Sequence, residues 1–281
     1  MTNTPTLVLG GTGKTGRRVA AQLQARDVPV RAASRSSEQR FDWYDETTWE
    51  PALDGIEALY VVPMANADAV ELTAAFTKLA AARRVDRVVL LSGRGVDRPG
   101  HEAGVFQAAL AVEDAVRDCG AAWTILRPSW FMQNFSENYL LHSVLAGELR
   151  VPAGNGAEAF VDADDVAAVA VAALTEDSHT EQIYELSGPR TLSFGAAMTE
   201  IGDAIGRPIR YIALSPDDHV AELVEHGVPT AEAAVVGQLF EVIRLGLSDH
   251  VSDGVALALG RAPRDFADYA RTTAATGVWT S

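Results

Sequence analysis

The segment TLVLGGTGKTGRRVA, Thr6 to Ala20, decides the fold. A short apolar run enters glycines at positions 10, 13 and 16, and a helical pattern follows from Lys14 to Arg26. Gly10 permits a tight turn, Gly13 lets the backbone approach a pyrophosphate, and Gly16 allows a helix to pack closely on a strand. The amino end of the helix adds free N–H groups and a positive partial charge. The segment therefore reads as a dinucleotide-binding loop, with Thr12, Lys14 and Thr15 as further cofactor contacts, and a purely structural turn as the alternative. Its spacing is GxxGxxG rather than the GxGxxG of ordinary dehydrogenases, and the glycines ahead of Lys14 are not spaced as in an ATP-binding loop.

Outward from this loop, short β-rich runs alternate with longer helical patterns: VPVRAAS, ALYVVP followed by Ala69 to Arg84, RVVLLSG followed by Phe106 to Cys119, and WTILRP. Such alternation predicts an α/β fold, a Rossmann-type doubly wound parallel sheet with helices on both faces. After Pro128 the rhythm changes to an aromatic-rich helix, a short strand, a glycine turn, a helix opened by Asp162, Asp164 and Asp165, an IYELSG strand and a mostly helical remainder. The expected organisation is a cofactor-binding domain over 1–152. Residues 153–281 would supply a remaining sheet strand and a smaller, mostly helical substrate lobe, with the substrate in a cleft between the two. The three aspartates read as ordinary helix-opening carboxylates rather than a metal or acid pair.

The second strand decides which cofactor is expected. NAD enzymes usually place an acidic residue where it ends, at the adenosine ribose, whereas this chain reads Ser34, Arg35, Ser36. A guanidinium can grip a 2′-phosphate through its planar fork, so the expected cofactor is NADP(H), with a solvated loop charge as the alternative reading of Arg35.

The chain has 281 residues, 48% of them hydrophobic and 22% charged, enough for a substantial core with no long polar tail. A formal charge of -15 and a pI near 4.8 disfavour nucleic acid and anionic membranes as partners. Neither a leader pattern nor an apolar stretch of membrane-spanning length is read in it, so a cytoplasmic protein acting on a small molecule, as monomer or homodimer, is expected. Cys119, the single cysteine, rules out intrachain disulfides and reads as a small buried thiol.

The segments VLGGTGKTG, WTILRPSWFMQNF, AFVDADDVAAVAVAAL, YELSGPRTLSF and GRAPRDFADYA resemble, in the same order and over nearly the full length, the NmrA-like branch of atypical short-chain dehydrogenases. GGTGKTG together with FDWYDETTWEPALDGIEALYVV looks most like the ergot-alkaloid-type reductases of that branch, which reduce cyclic iminium intermediates with NADPH. Relatives include quinone reductases, and some NmrA-like proteins only sense the cofactor. The resemblance implies that Asp42 and Trp43 flank the adenine, that Val62 and Pro63 line the nucleotide cleft, and that Pro128 sits near the carboxamide. Without it, Trp43 reads as core packing and Pro128 as a loop stiffener. Ser92 falls where such proteins often carry a serine near the nicotinamide, with a strand-end cap as the alternative.

Members with ordinary carbonyl chemistry carry a Tyr-x-x-x-Lys pair on the helix before WTILRP. Here those places are Val105 and Ala109, neither of which can move a proton. His101 is the remaining candidate nearby, against an exposed loop histidine. An iminium carbon is already electrophilic and accepts hydride without a proton donor, which suits this absence. Substrate contacts are expected from Trp130, Phe131, Met132, Asn134 and Phe135, whose aromatic faces suit a flat or cationic substrate. Helix core is the alternative for part of this set. The expected activity is NADPH-dependent reduction of an electrophilic small molecule, a cyclic imine first and a quinone or enone second, with a non-catalytic redox sensor as the other possibility.

Overall fold

The computed structural model describes residues 4–280 apart from 65, 67, 99–103 and 138–139. The chain opens with β1 (Thr6–Leu9), α1 (Gly16–Gln24), β2 (Val30–Ser34), β3 (Gln39–Arg40), α2 (Trp49–Leu53), β4 (Ala58–Val61), α3 (Ala69–Ala82), β5 (Arg87–Leu91), α4 (Gly104–Arg117) and β6 (Ala122–Pro128). Then come α5 (Asn134–Glu137), α6 (Leu140–Ala146), β7 (Glu148–Val151), β8 (Ala157–Glu158), α7 (Ala163–Thr175) and β9 (Gln182–Leu186). The remainder runs β10 (Leu192–Ser193), α8 (Phe194–Ile205), β11 (Arg210–Ala213), α9 (Pro216–Glu225), α10 (Thr230–Arg244), α11 (Gly254–Leu259) and α12 (Phe266–Ala274).

The chain divides into two compact units. The first comprises 1–128, 163–186 and 253–261, and the second comprises 129–162, 187–252 and 262–281. This differs from the expected single division after residue 152. Helix α7 explains the difference: Val166 to Leu174 are buried on every side, and a helix apolar all round belongs inside a core. It packs against α1 and against β4, β5 and β6 of the first unit.

The first unit holds a seven-stranded sheet in the order β3-β2-β1-β4-β5-β6-β9, with parallel pairing throughout. This is the expected doubly wound arrangement, and the order reverses between β1 and β4, where such sheets bind their ligands. Leu7, Leu9, Leu59, Val61, Val88, Leu90 and Ile125 form a buried cluster with Phe76 of α3 and with Val112 and Val116 of α4. The intervening Val8, Tyr60 and Val89 are fully buried as well. Strands covered on both faces need apolar residues at consecutive positions, which is why the runs did not alternate with polar residues.

The second unit packs around phenylalanines. Phe160 lies 5.3 Å from both Phe135 and Phe194, ring centre to ring centre, and Phe266 lies 5.6 Å from Phe135. The Trp279 indole donates to the Phe135 carbonyl at 2.8 Å. Two-stranded pairings, β7 with β11 and β8 with β10, edge this core. Among the described residues no helix is long and apolar enough to cross a membrane.

Candidate functional site

Gly10 ends β1 with φ +64, a backbone conformation that glycine adopts freely. Its carbonyl accepts the Gly13 amide at 2.7 Å, and the Gly11 amide donates to Ala33 of β2 at 3.1 Å, so the loop is a tight turn fastened to the neighbouring strand. The space around it excludes side chains. A β-carbon on Gly16 would lie 2.2 Å from the Gly10 carbonyl oxygen, and one on Gly11 would lie 2.8 Å from the Ala32 β-carbon. Thr15 precedes α1 without a side-chain cap, which leaves the first amides of the helix for a ligand. Lys14 is half-buried, and its carbonyl accepts from Arg18 Nη1 at 2.9 Å.

Beside this loop a cleft of ≈ 420 Å³ is bordered by Gly10, Thr12, Gly13, Ser34, Arg35, Asp42, Trp43, Val62 and Pro63, all named from sequence. Phe41, Tyr44 and Met64 line it too and were missed; Gly11, also missed, packs against Ala32 of β2. The doubled glycine at 10–11 was the available signal for Gly11. The strand β3, too short to show any periodicity, hid the position of Phe41.

Trp43 packs in the core and also reaches the cleft. Its ring lies 5.0 Å from Phe41 and 5.5 Å from Phe76 in the core, and it borders the cleft. Asp42 accepts the Tyr44 amide at 3.1 Å, and its carbonyl accepts the Trp49 indole at 3.1 Å, so the aromatic segment is anchored by its backbone. The Tyr44 hydroxyl donates to Asp68 at 2.8 Å, which raises its pKa above the ordinary tyrosine value.

The turn after β2 is pinned by Ser37, whose hydroxyl accepts the Ser34 amide at 2.7 Å and donates to the Gln39 carbonyl at 2.7 Å. Arg35 is exposed on that turn. Unlike Arg40, which pairs with Asp45 at 3.0 Å, it has no ion pair among the described residues, and the three residues directly after Ser34 carry no acid. The glycine loop, with the uncapped amino end of α1 behind it, and the Arg35 guanidinium border one cleft, a lining that would fit the phosphates of a nicotinamide dinucleotide.

At the carboxyl edge of the sheet, Ser92 follows β5 and its amide donates to Leu126 at 2.8 Å, while Arg94 donates to Pro128 at 3.1 Å. Both Ser92 and Pro128 thus sit beside each other at the ends of adjacent strands. Ser92 Oγ donates to Glu113 at 2.6 Å, a partner the sequence gave no hint of, since it lies on α4. Glu113 is fully buried and is held by Arg127 at 2.7 Å and Arg117 at 3.0 Å. Burial works against the charged form of Arg127, but hydrogen bonds to Glu113 and Asp97 outweigh it and raise the pKa. His101 lies outside the described residues.

The five expected substrate residues divide. Trp130 is half-buried, its ring 4.8 Å from Phe240, and Phe131 and Asn134 are likewise partly exposed. Met132 and Phe135 have no exposed surface and belong to the phenylalanine core. The expectation that these two touch substrate is corrected: they support the segment from within. Asp162, Asp164 and Asp165 do stand at the opening of α7. They are also engaged in ion pairs: Asp162 with Arg264 at 2.8 Å, Asp164 with Arg18 at 2.9 Å and Asp165 with Arg261 at 2.7 Å.

A family model described as NAD(P)H-binding matches residues 10–177, the stretch that contains the glycine loop and most of the sheet. The chain belongs to the NAD(P)H-binding family. Its relatives extend the likeness over the whole length. The oxidoreductase YesF of Bacillus subtilis (strain 168) is 33% identical, covering 100% of this chain and 98% of its own. The agroclavine dehydrogenase of Claviceps fusiformis is 32% identical over 94% and 95%, and the NAD(P)H azoreductase of Xenophilus azovorans is 31% identical over 96% and 98%. In fold, the chain is similar to the Citrobacter sp. triphenylmethane reductase crystallised with NADP(H), with TM-score 0.82, 20% identity and coverage of 96% and 99%. This family member is an NAD(P)H-dependent oxidoreductase.

Proposed function

We propose that this oxidoreductase prefers NADPH and reduces an electrophilic small molecule, in the first instance a cyclic iminium. The observation that carries the cofactor choice is Arg35, unpaired among the described residues and bordering the same cleft as Gly10 and Gly13. When bound, the nicotinamide supplies the hydride. The work left to the chain is to hold the diphosphate on the amides around Gly10 to Gly16, to select the 2′-phosphate through Arg35 with Ser34 beside it, and to keep the adenine against Trp43 and Asp42. Thr12, Lys14, Thr15, Val62, Pro63 and Pro128 complete this proposed cofactor set.

Support for the iminium comes from what α4 lacks. Val105 and Ala109 occupy the places of a proton-donating tyrosine and its lysine, and Ser92 gives its hydrogen to Glu113. A carbonyl reduced to an alkoxide needs a proton, whereas an iminium becomes a neutral amine on taking hydride alone. Trp130 and Phe131, with Asn134, offer a surface suited to a flat cation.

The test is calorimetry with NADPH and NADH on the wild type and on Arg35→Asp, followed by nicotinamide absorbance with cyclic iminium salts, quinones and enones. A charge-assisted contact of about 1.5–3 kcal/mol predicts that Arg35→Asp weakens NADPH about tenfold to a hundredfold and leaves NADH little changed. Unchanged NADPH affinity overturns the cofactor assignment. Turnover confined to quinones overturns the iminium, and tight NADPH binding without turnover points to a sensor.

A further inference from the structure

The environment of Ser92 has a polarity of its own. Glu113 Oε1 accepts Arg127 Nε at 2.9 Å, and Oε2 accepts Arg127 Nη2 at 2.7 Å and Arg117 Nη2 at 3.0 Å. Arg127 is fixed in turn by Asp97 at 2.5 Å. With N–H donors on both carboxylate oxygens, the hydrogen shared across the 2.6 Å contact between Ser92 Oγ and Glu113 Oε1 is the serine's. A serine hydroxyl has one hydrogen and two lone pairs. Once the hydrogen is committed inward, only the lone pairs remain for a ligand.

The place of Ser92 in the sheet gives this polarity a role. It follows β5, three strands along the carboxyl edge from β2 and its Arg35, with β1 and β4 between them. At a spacing of about 4.8 Å per strand, the two residues stand roughly 14 Å apart across the sheet. An elongated dinucleotide held at its phosphates by β1 and β2 and running along this edge would bring its other end toward β5 and β6.

We infer that Glu113 is a positioning residue that makes Ser92 an obligate hydrogen-bond acceptor, so that Ser92 favours a cationic electrophile over a carbonyl whose oxygen needs a donor. This rests on the iminium reading and adds its specificity determinant. The lone pairs of Ser92 stabilise a positive charge in the bound substrate and oppose the negative charge that builds on a carbonyl oxygen during reduction.

The experiment compares kcat/KM for a cyclic iminium salt and for a neutral quinone in the wild type, Ser92→Ala, Ser92→Thr and Glu113→Asp, with NADPH affinity measured alongside. Ser92→Ala is expected to lower the iminium-to-quinone ratio about tenfold or more, the effect of one hydrogen bond to a charged group, at unchanged NADPH affinity. Ser92→Thr is expected to restore it. Glu113→Asp retains a carboxylate for Arg127 while withdrawing it from Ser92, and should lower the ratio without adding to the loss in the Ser92→Ala background. Should Glu113→Asp fail to fold, the two serine variants carry the test. A ratio that Ser92→Ala leaves unmoved, or an equal fall on both substrates, overturns the inference while the iminium reading stands. A wild type that binds NADPH and reduces no iminium overturns both.

Discussion

Gly16 is the glycine of the loop where adding one carbon should cost most. In the middle of an ordinary helix, alanine gains about 1 kcal/mol over glycine. Here the added carbon would stand 2.2 Å from the Gly10 oxygen, 2.7 Å from its carbonyl carbon and 3.1 Å from the Gly11 nitrogen. All three are backbone atoms, so no side chain can rotate away. The approach is more than about 1 Å short of ordinary contact, and the loop must move by that order, which breaks the 2.7 Å bond from the Gly13 amide to Gly10. Overpacking of this kind costs about 1–3 kcal/mol, enough to cancel or exceed the helix gain. The larger loss should appear in binding, because each charge-assisted contact from loop to phosphate is worth about 1.5–3 kcal/mol. Gly16→Ala is therefore expected to weaken NADPH at least about tenfold while lowering the melting temperature by no more than several degrees. Calorimetric titration paired with a thermal melt measures both. A Gly16→Ala protein that binds NADPH as tightly as wild type would refute the claim that this loop holds the phosphates.

Two further perturbations test other parts of the molecule. Glu113→Ala leaves the buried Arg127 guanidinium facing only Asp97, and loss of one partner of a buried pair predicts destabilisation of about 3 kcal/mol in urea unfolding. His219 is buried beside Phe240 at 5.4 Å, and burial lowers its pKa, with Glu222 opposing in part. Because the unfolded chain takes up this proton near pH 6.5, at about the ordinary histidine value, and the folded chain only at a lower pH, stability should fall as pH drops below that point. The slope from this group is at most about 1.4 kcal/mol per pH unit, and it ends where the folded form also protonates. His219→Gln should flatten the decline in melts taken across that range; an unchanged pH profile would remove His219 as its source.

Much of the lining of the cleft beside the glycine loop was legible because its determinants are local. The glycines must be where they are for the turn at Gly10 and the close approach at Gly16, and the buried parallel strands announce themselves as uninterrupted apolar runs. What escaped notice depends on distant contacts. Glu113 looks like any helical acid until Arg127, fourteen residues on, and Ser92, twenty-one residues back, close around it. Met132 and Phe135 looked like ligand-facing residues, with helix core as the alternative, and what decides between the two is distant: Phe160, Phe194 and Phe266 cover Phe135, and Met132 lies in the same core. The unit to which α7 belongs was misread although a signal existed: no polar residue interrupts Val166 to Leu174, and a helix resting on the surface of a small lobe would need one.

The interleaving of the two units bears on how the protein is made. Strand β6 receives its outer neighbour only when β9 has been synthesised, and between Pro128 and Gln182 a ribosome adds roughly fifty residues, about five seconds of work at ten residues per second. Throughout that interval the nascent sheet ends in a bare edge containing Ile125 and Leu126, whose eventual mates are Ile183 and Tyr184. An exposed apolar edge recruits strands from other chains, so chaperone cover during translation should raise the amount of active protein a cell obtains.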